Sequence, residues 1–143
     1  MSVMQNNETA IPGVELNGGF TKLMGLRLDQ LSADRAVASL DITDEHKQPF
    51  GIVHGGVYCA MVETVASVGA GIWFGERGTV VGASNQTDFL RAVRSGTVTA
   101  TATPIHRGRS QQLWLVEITD TDQRLVARGQ VRLQNLSAPD ASR

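Results

Sequence analysis

Apolar positions along this chain recur at two periods, interrupted once by a stretch that is apolar almost throughout. Ala36, Ala38, Leu40 and Ile42 alternate with other residues, the pattern of a strand with one face buried. Within residues 26–42 the extended pattern falters at Ser32-Ala33-Asp34, so the segment reads as one strand, bent or broken there. Residues 20–24 read as a short helix stopped by Gly25. After a polar loop over 43–53, residues 55–74 carry a single charge, Glu63. A helix that is apolar on every side is one buried over most of its surface. The turn signal Gly75-Glu76-Arg77-Gly78 ends it.

Beyond that turn the period returns to two. Residues 80–90, 96–106, 112–119 and 124–133 read as strands, with Asp120-Thr121-Asp122-Gln123 as a hairpin turn between the last two. In the final strand Leu125, Ala127, Gly129, Val131 and Leu133 are expected inward, against Val126, Arg128, Gln130 and Arg132 outward. Residues 1–13 and 136–143 are expected to be flexible. A strand, a long helix and four strands make an α+β domain in which an antiparallel sheet wraps one central helix. One such pair of layers leaves the sheet's far face and the helix ends short of cover, so an oligomer is expected.

Composition narrows this picture. A chain of 143 residues without repeat or linker predicts one domain over 1–143. Lys and Arg number 13 against 14 Asp and Glu, so no global field draws the chain to nucleic acid or a membrane surface. Cys59 is the one cysteine; with no partner for an internal disulfide, a reducing compartment and cytoplasmic location are expected. It reads as core, as do Trp73 and Trp114. Residues 1–10 are polar and lack the apolar core of a signal peptide. The run 55–74 is long enough to span a bilayer, but Glu63, its glycines and alanines, and the flanking strands make it a buried helix of a soluble domain. His46, His54 and His106 lack metal-ligand spacing, and no G-x-S-x-G or G-x-G-x-x-G motif is present. No metal and no cofactor are expected.

Candidate chemistry begins with Glu63. A lone carboxylate in a buried helix is costly unless paired or used, and burial would strengthen it as a base. The plain alternative is a core glutamate tied to a backbone group. Gly55 and Gly56 open the same helix, where the first amides lack internal partners and carry partial positive charge. They suit an oxygen on which negative charge develops, or serve only as a turn that needs glycine.

The string Gln48-Pro49-Phe50-Gly51-Ile52-Val53-His54-Gly55-Gly56 leading to Glu63-Thr64-Val65-Ala66-Ser67, in this order of elements, resembles the hotdog-fold acyl-CoA thioesterases. The branch includes phenylacetyl-CoA, 4-hydroxybenzoyl-CoA and 1,4-dihydroxy-2-naphthoyl-CoA thioesterases, and the resemblance runs from Phe20 to Leu133. It implies a hotdog domain that hydrolyses a coenzyme A thioester with a carboxylate, at a site shared by two subunits of a homodimer or homotetramer. Glu63 becomes nucleophile or general base, and a Gly55 amide the carbonyl-polarising donor. Gln48 donates to the same oxygen or lies in a surface loop. His54 orients substrate or holds the loop, and Ser67, one turn after Glu63, holds water or its own helix carbonyl. Val68 and Phe89, by position, line the acyl pocket. Arg91, Arg107 and Arg109 follow strand ends, where they hold coenzyme A phosphates or belong to solvated turns; Asp88 is a candidate partner of Arg91. The rival readings are a hotdog hydratase, which needs a proton-abstracting His–acid pair, and a non-catalytic acyl-CoA sensor. Geometry adds a reason for a shared site: Gly55 and Glu63 are eight residues apart, about 12 Å along a helix.

Overall fold

The computed structural model describes residues 10–139. Its centre is α2 (Gly55–Phe74), wrapped by β1 (Arg27–Leu31), β2 (Ala36–Asp41), β3 (Gly78–Phe89), β4 (Thr97–Arg107), β5 (Gln111–Thr119) and β6 (Leu125–Ser137), with α1 (Gly19–Met24) before β1. The strands form one sheet in the order β1-β2-β4-β5-β6-β3, and every neighbouring pair is antiparallel. This is the helix-in-sheet arrangement the sequence implies. β1 and β3 are its edges.

Three local differences have plain causes. The segment 26–42 is a hairpin of two strands, because Ser32 closes a tight turn. Its hydroxyl accepts from the Asp34 and Arg35 amides, and its own N–H donates to the Arg35 carbonyl at 2.9 Å. Val126, expected outward, is buried, as are Ala127, Val131 and Leu133. Of the ends expected to be flexible, residues 10–13 and 136–139 are described, and several of them pack. Ala10 is buried, a Cβ on Gly71 would lie 2.7 Å from Ile11, and Leu136 and Ser137 continue β6 in register with Thr79 and Gly78. Residues 1–9 and 140–143 lie outside the described residues.

The core lies between α2 and the sheet. Met61, Val62, Val65, Ala66 and Ala70 of α2 are fully buried against Ala100, Ala102, Trp114, Val116 and Val131. Trp114 reaches the helix where Gly69 leaves room for it. Its indole N–H donates to Gln112 at 2.8 Å, and Gln112 in turn donates to the Ala70 carbonyl and to Asn135. Every polar atom of this buried group thus has a use. By length and composition α2 would suit a membrane, yet one side of it is held by the sheet.

The helix is not buried all round. Gly56 and Glu63 are exposed, and Cys59, Ala60, Thr64 and Ser67 are half-exposed. Their spacing of three and four residues puts them on one stripe. The expectation of a buried Glu63 therefore fails within the single chain: a hydropathy count registers the apolar side chains of α2 but not that one stripe has no cover from its own sheet.

Candidate active site

His54 is the residue before α2, with extended backbone (φ −64°, ψ 133°), and its Nδ1 accepts the Gly56 N–H at 2.8 Å. Nδ1 is then the unprotonated ring nitrogen. The Val57 amide donates to the His54 carbonyl at 3.0 Å. Of the first-turn amides, that of Gly55 has no partner among the described residues. His54 itself is anchored by its N–H to the His46 carbonyl at 2.9 Å, and the His46 ring spans from the Thr43 amide to the Met24 carbonyl. Loop 43–54 is thus pinned to the end of α1, and the pin sets where α2 begins.

Gly55 has a second constraint. A Cβ there would sit 2.6 Å from the Phe89 ring at the end of β3, so only glycine lets the two meet. Gln48, Gly55, Tyr58, Phe89 and Arg91 border one cavity of about 330 Å³. The Gln48 side-chain oxygen accepts the Phe50 N–H, which leaves its –NH₂ end as the available donor. Gly55 and Gln48, each with an amide donor that has no partner among the described residues, thus border the same cavity.

Glu63, Ser67 and Val68 line a different cavity, of about 420 Å³, with Thr64, Val80 and Ile11. The Glu63 carboxylate leans toward β3, where Oε1 is 4.0 Å from the point a Cβ on Gly82 would occupy. His54 faces a third hollow, beside His46 and Phe20. One chain thus brings Gln48, Gly55, Phe89 and Arg91 together, and Glu63, Ser67 and Val68 together, and keeps the two groups apart.

The arginines divide as well. Arg91 is exposed at the Gly55 cavity, and no ion pair joins it to Asp88 among the described residues. Arg107 is committed within the chain: it donates to Asp34 at 2.9 Å and to the Ala33 carbonyl at 2.8 Å, and lies 5.5 Å over the Trp73 ring. Arg109 is exposed beside Trp73 and Arg77 at the far end of α2.

Tyr58 is the residue that reading the sequence missed. It is 3% exposed, and its hydroxyl has no hydrogen-bond partner among the described residues. Burial, reinforced by the negative charge of Asp120, pushes the phenol up to about 12. Its one signal in the sequence was a polar aromatic three residues after Gly55, inside an otherwise apolar run. Among the described residues, no cluster of three or more His, Cys, Asp or Glu is placed to hold a metal ion.

Known proteins resemble this chain in sequence and fold. The chain named "Putative esterase Rv1847" from Mycobacterium tuberculosis is 56% identical over 122 residues, covering 83% of this chain and 87% of that one. Its solved structure superposes with a TM-score of 0.83 over 85% of this chain and 98% of that one. The 1,4-dihydroxy-2-naphthoyl-CoA hydrolase of Listeria monocytogenes is 35% identical over 108 residues, 76% of this chain and 88% of its own length. The thioesterase SAV0944 of Staphylococcus aureus, 27% identical, superposes with a TM-score of 0.80 over 84% of this chain and all of that one. It has been solved with a glutamate replaced by alanine and, separately, with a glutamine fifteen positions earlier so replaced. The thioesterase superfamily profile matches residues 50–127, from the loop before α2 to the second half of the sheet. That match takes in more than half of the chain and both groups of candidate residues on α2: the protein belongs to the thioesterase superfamily and is a hotdog-fold thioester hydrolase.

Proposed function

We propose that the protein hydrolyses an acyl-CoA thioester to the free acid and coenzyme A, with Glu63 of one chain acting on a carbonyl held by Gly55 and Gln48 of a second chain. The observation that carries this is the division of the chemistry within one chain. Donors suited to a carbonyl oxygen border one cavity, and the only carboxylate of α2 borders another. Eight residues of helix separate them, about 12 Å, whereas reacting groups must approach to about 3–3.5 Å. Gly55 and Glu63 lie on one helix beside the open edge β3, with Gln48 in the loop that leads into it, so a two-fold related copy offers each half what it lacks. The fifteen-residue interval between Gln48 and Glu63 equals the interval between the two replaced residues of the staphylococcal thioesterase.

In this reading the Gly55 N–H and the Gln48 –NH₂ bond the thioester oxygen and stabilise the charge that gathers on it. Glu63 takes a proton from water as the water oxygen attacks the carbonyl carbon. The tetrahedral intermediate then expels the coenzyme A thiolate, which takes up the proton held by Glu63. Water is the attacking group in this reading because Glu63 is exposed and borders an open cavity of about 420 Å³. Ser67, one turn on, is placed to orient that water. Val68 and Phe89 supply apolar contact for the acyl group, and His54 keeps the Gly55 turn in shape. Arg91 and Arg109 are the arginines open to phosphate, whereas Arg107 braces the β1–β2 turn.

Glu63→Gln preserves shape and removes basicity. Turnover of a panel of acyl-CoA esters should fall by about a hundredfold or more, while binding of the esters persists. A folded Glu63→Gln protein with near-normal kcat contradicts the assignment, and a wild-type chain that binds the panel without turnover is a sensor rather than an enzyme.

A further inference from the structure

We propose that Glu15 is a specificity-determining residue: its carboxylate borders the same cavity as Glu63 and turns away acyl groups that end in a negative charge. This rests on the acyl-thioester reading above. Residues 11–18, ahead of α1, form a strap against the second half of α2. Ile11 seats the strap where Gly71 leaves room for it: a Cβ on Gly71 would lie 2.7 Å from the Ile11 Cδ1. The Val14 N–H donates to the Ile11 carbonyl at 3.1 Å and turns the strap. Val14, Glu15 and Leu16 then border the cavity of about 420 Å³ that Glu63, Ser67 and Val68 border from α2. Glu15 is exposed, and its Oε1 accepts the Asn17 N–H at 2.7 Å. Gly18 leaves room for its stem, since a Cβ there would lie 3.1 Å from the Glu15 Cγ. The turn of the strap thus holds this carboxylate at the cavity.

Charge decides what this cavity admits. Glu15 and Glu63 both border it, and among the described residues that do so none is Lys, Arg or His. No ion pair among the described residues neutralises either carboxylate. The other residues around it are apolar, hydroxylic or glycine. A thioester has two arms, and they suit different places. The coenzyme A arm carries phosphates, which suit the Gly55 cavity with its exposed Arg91 and not a cavity with two negative charges. The acyl arm therefore starts beside Phe89, at the Gly55 amide of one chain, and runs into the Glu63 cavity of the other. A neutral acyl group meets Val14, Leu16, Val68 and Val80 there. One that ends in a carboxylate meets two like charges with no cation to pair it, and such repulsion is how a site rejects a ligand. Cover from the second chain excludes water and strengthens the effect. Glu63 is needed for the reaction itself, so Glu15 is the charge left to set the preference.

Glu15→Gln tests this, because glutamine keeps an oxygen for the Asn17 N–H and removes the charge. The probes are ketone analogues of acyl-CoA, in which a methylene between sulfur and carbonyl prevents hydrolysis. They carry a succinyl or an adipoyl group, each beside its neutral half-amide, so the members of a pair differ by one charge. Their affinities are measured at equilibrium. In at least one pair wild type should bind the amide about fivefold or more tightly than the acid, and high salt should narrow the gap. In Glu15→Gln that preference should shrink about threefold or more, with affinity for the amide unchanged, and Glu15→Lys should narrow it further. A preference that Glu15→Gln leaves unchanged in both pairs overturns the proposal. So does a wild type that binds acid and amide alike in both. Failure of every analogue to bind overturns it together with the acyl-CoA reading. None of these readouts needs turnover: a chain inactive on every acyl-CoA ester but with a Glu15-dependent charge preference would sink the proposed hydrolysis and leave this inference standing.

Discussion

Tyr58 sets a pH limit on the fold. Its burial, and secondarily the charge of Asp120, keep the phenol protonated up to about 12, against about 10 for a free tyrosine. The folded state holds this proton more tightly than the unfolded state. Its contribution to stability is therefore complete below about pH 10 and is lost as pH rises toward 12. With one tyrosine in the chain, tyrosinate absorbance reads this group alone. Its midpoint should stand well above 10 and coincide with, or follow, loss of helix signal; a midpoint at the free value in still-folded protein contradicts the burial. The same residue shows what a sequence conceals at this scale. Glu63 announces itself as a lone charge, and Gly55 and Gly56 as a break before a helix. A tyrosine in an apolar run looks like core, and only the assembled fold shows that its hydroxyl finds no partner. Arg107 is the reverse case: beside Arg109 it looks free for phosphate, but it braces a hairpin turn that the sequence presents only as a place where one strand bends or breaks.

At the scale of elements, alternation located the strands well because each has one face on α2, and Gly25, Gly75 and Gly78 marked real ends of helix and loop. What alternation could not give was the cover on each element. The open stripe of α2 sets Glu63, Thr64 and Ser67 among Gly56, Cys59 and Ala60, and β3 mixes Val80, Val81, Ala83 and Phe89 with polar residues, a pattern that does not say what covers either. Trp114 packs tightly against α2. A Cβ on Gly69 would lie 2.7 Å from the indole, and the indole cannot slide away cheaply, since its N–H is held by Gln112 and Gln112 by Ala70 and Asn135. Glycine in a helix interior costs about 1 kcal/mol relative to alanine, so Gly69→Ala would stabilise an unconstrained helix. Here overpacking should outweigh that gain and destabilise the fold by about 1–3 kcal/mol, measured by urea unfolding. A gain in stability would mean that Trp114 yields easily and that its network contributes little.

For the whole molecule the unfinished parts coincide. β3 spans twelve residues at the sheet edge, with Val81 and Phe89 about half exposed, and a long edge strand of this kind is normally covered or paired. Glu63 and Ser67 on the open stripe of α2 lie beside that edge, and so does the Gly55 cavity through Phe89. In the proposed dimer a two-fold axis at this edge would extend the sheet, cover the stripe and form the composite site twice. The alternative is that each chain completes its own site by moving Glu63 toward Gly55, but both belong to one continuous helix, and no side-chain rotation spans about 12 Å. Subunit mixing separates the two. Glu63→Ala and Gln48→Ala proteins, each nearly inactive, are combined and allowed to exchange chains. In a mixed dimer one site receives both wild-type groups and the other receives both lesions. Random exchange then leaves about a quarter of all sites intact, and activity should climb toward a quarter of the wild-type value. Sites confined to single chains would gain nothing from exchange, so flat activity in a mixture whose heterodimers are verified by mass would rule out the shared site while leaving Glu63 itself in play.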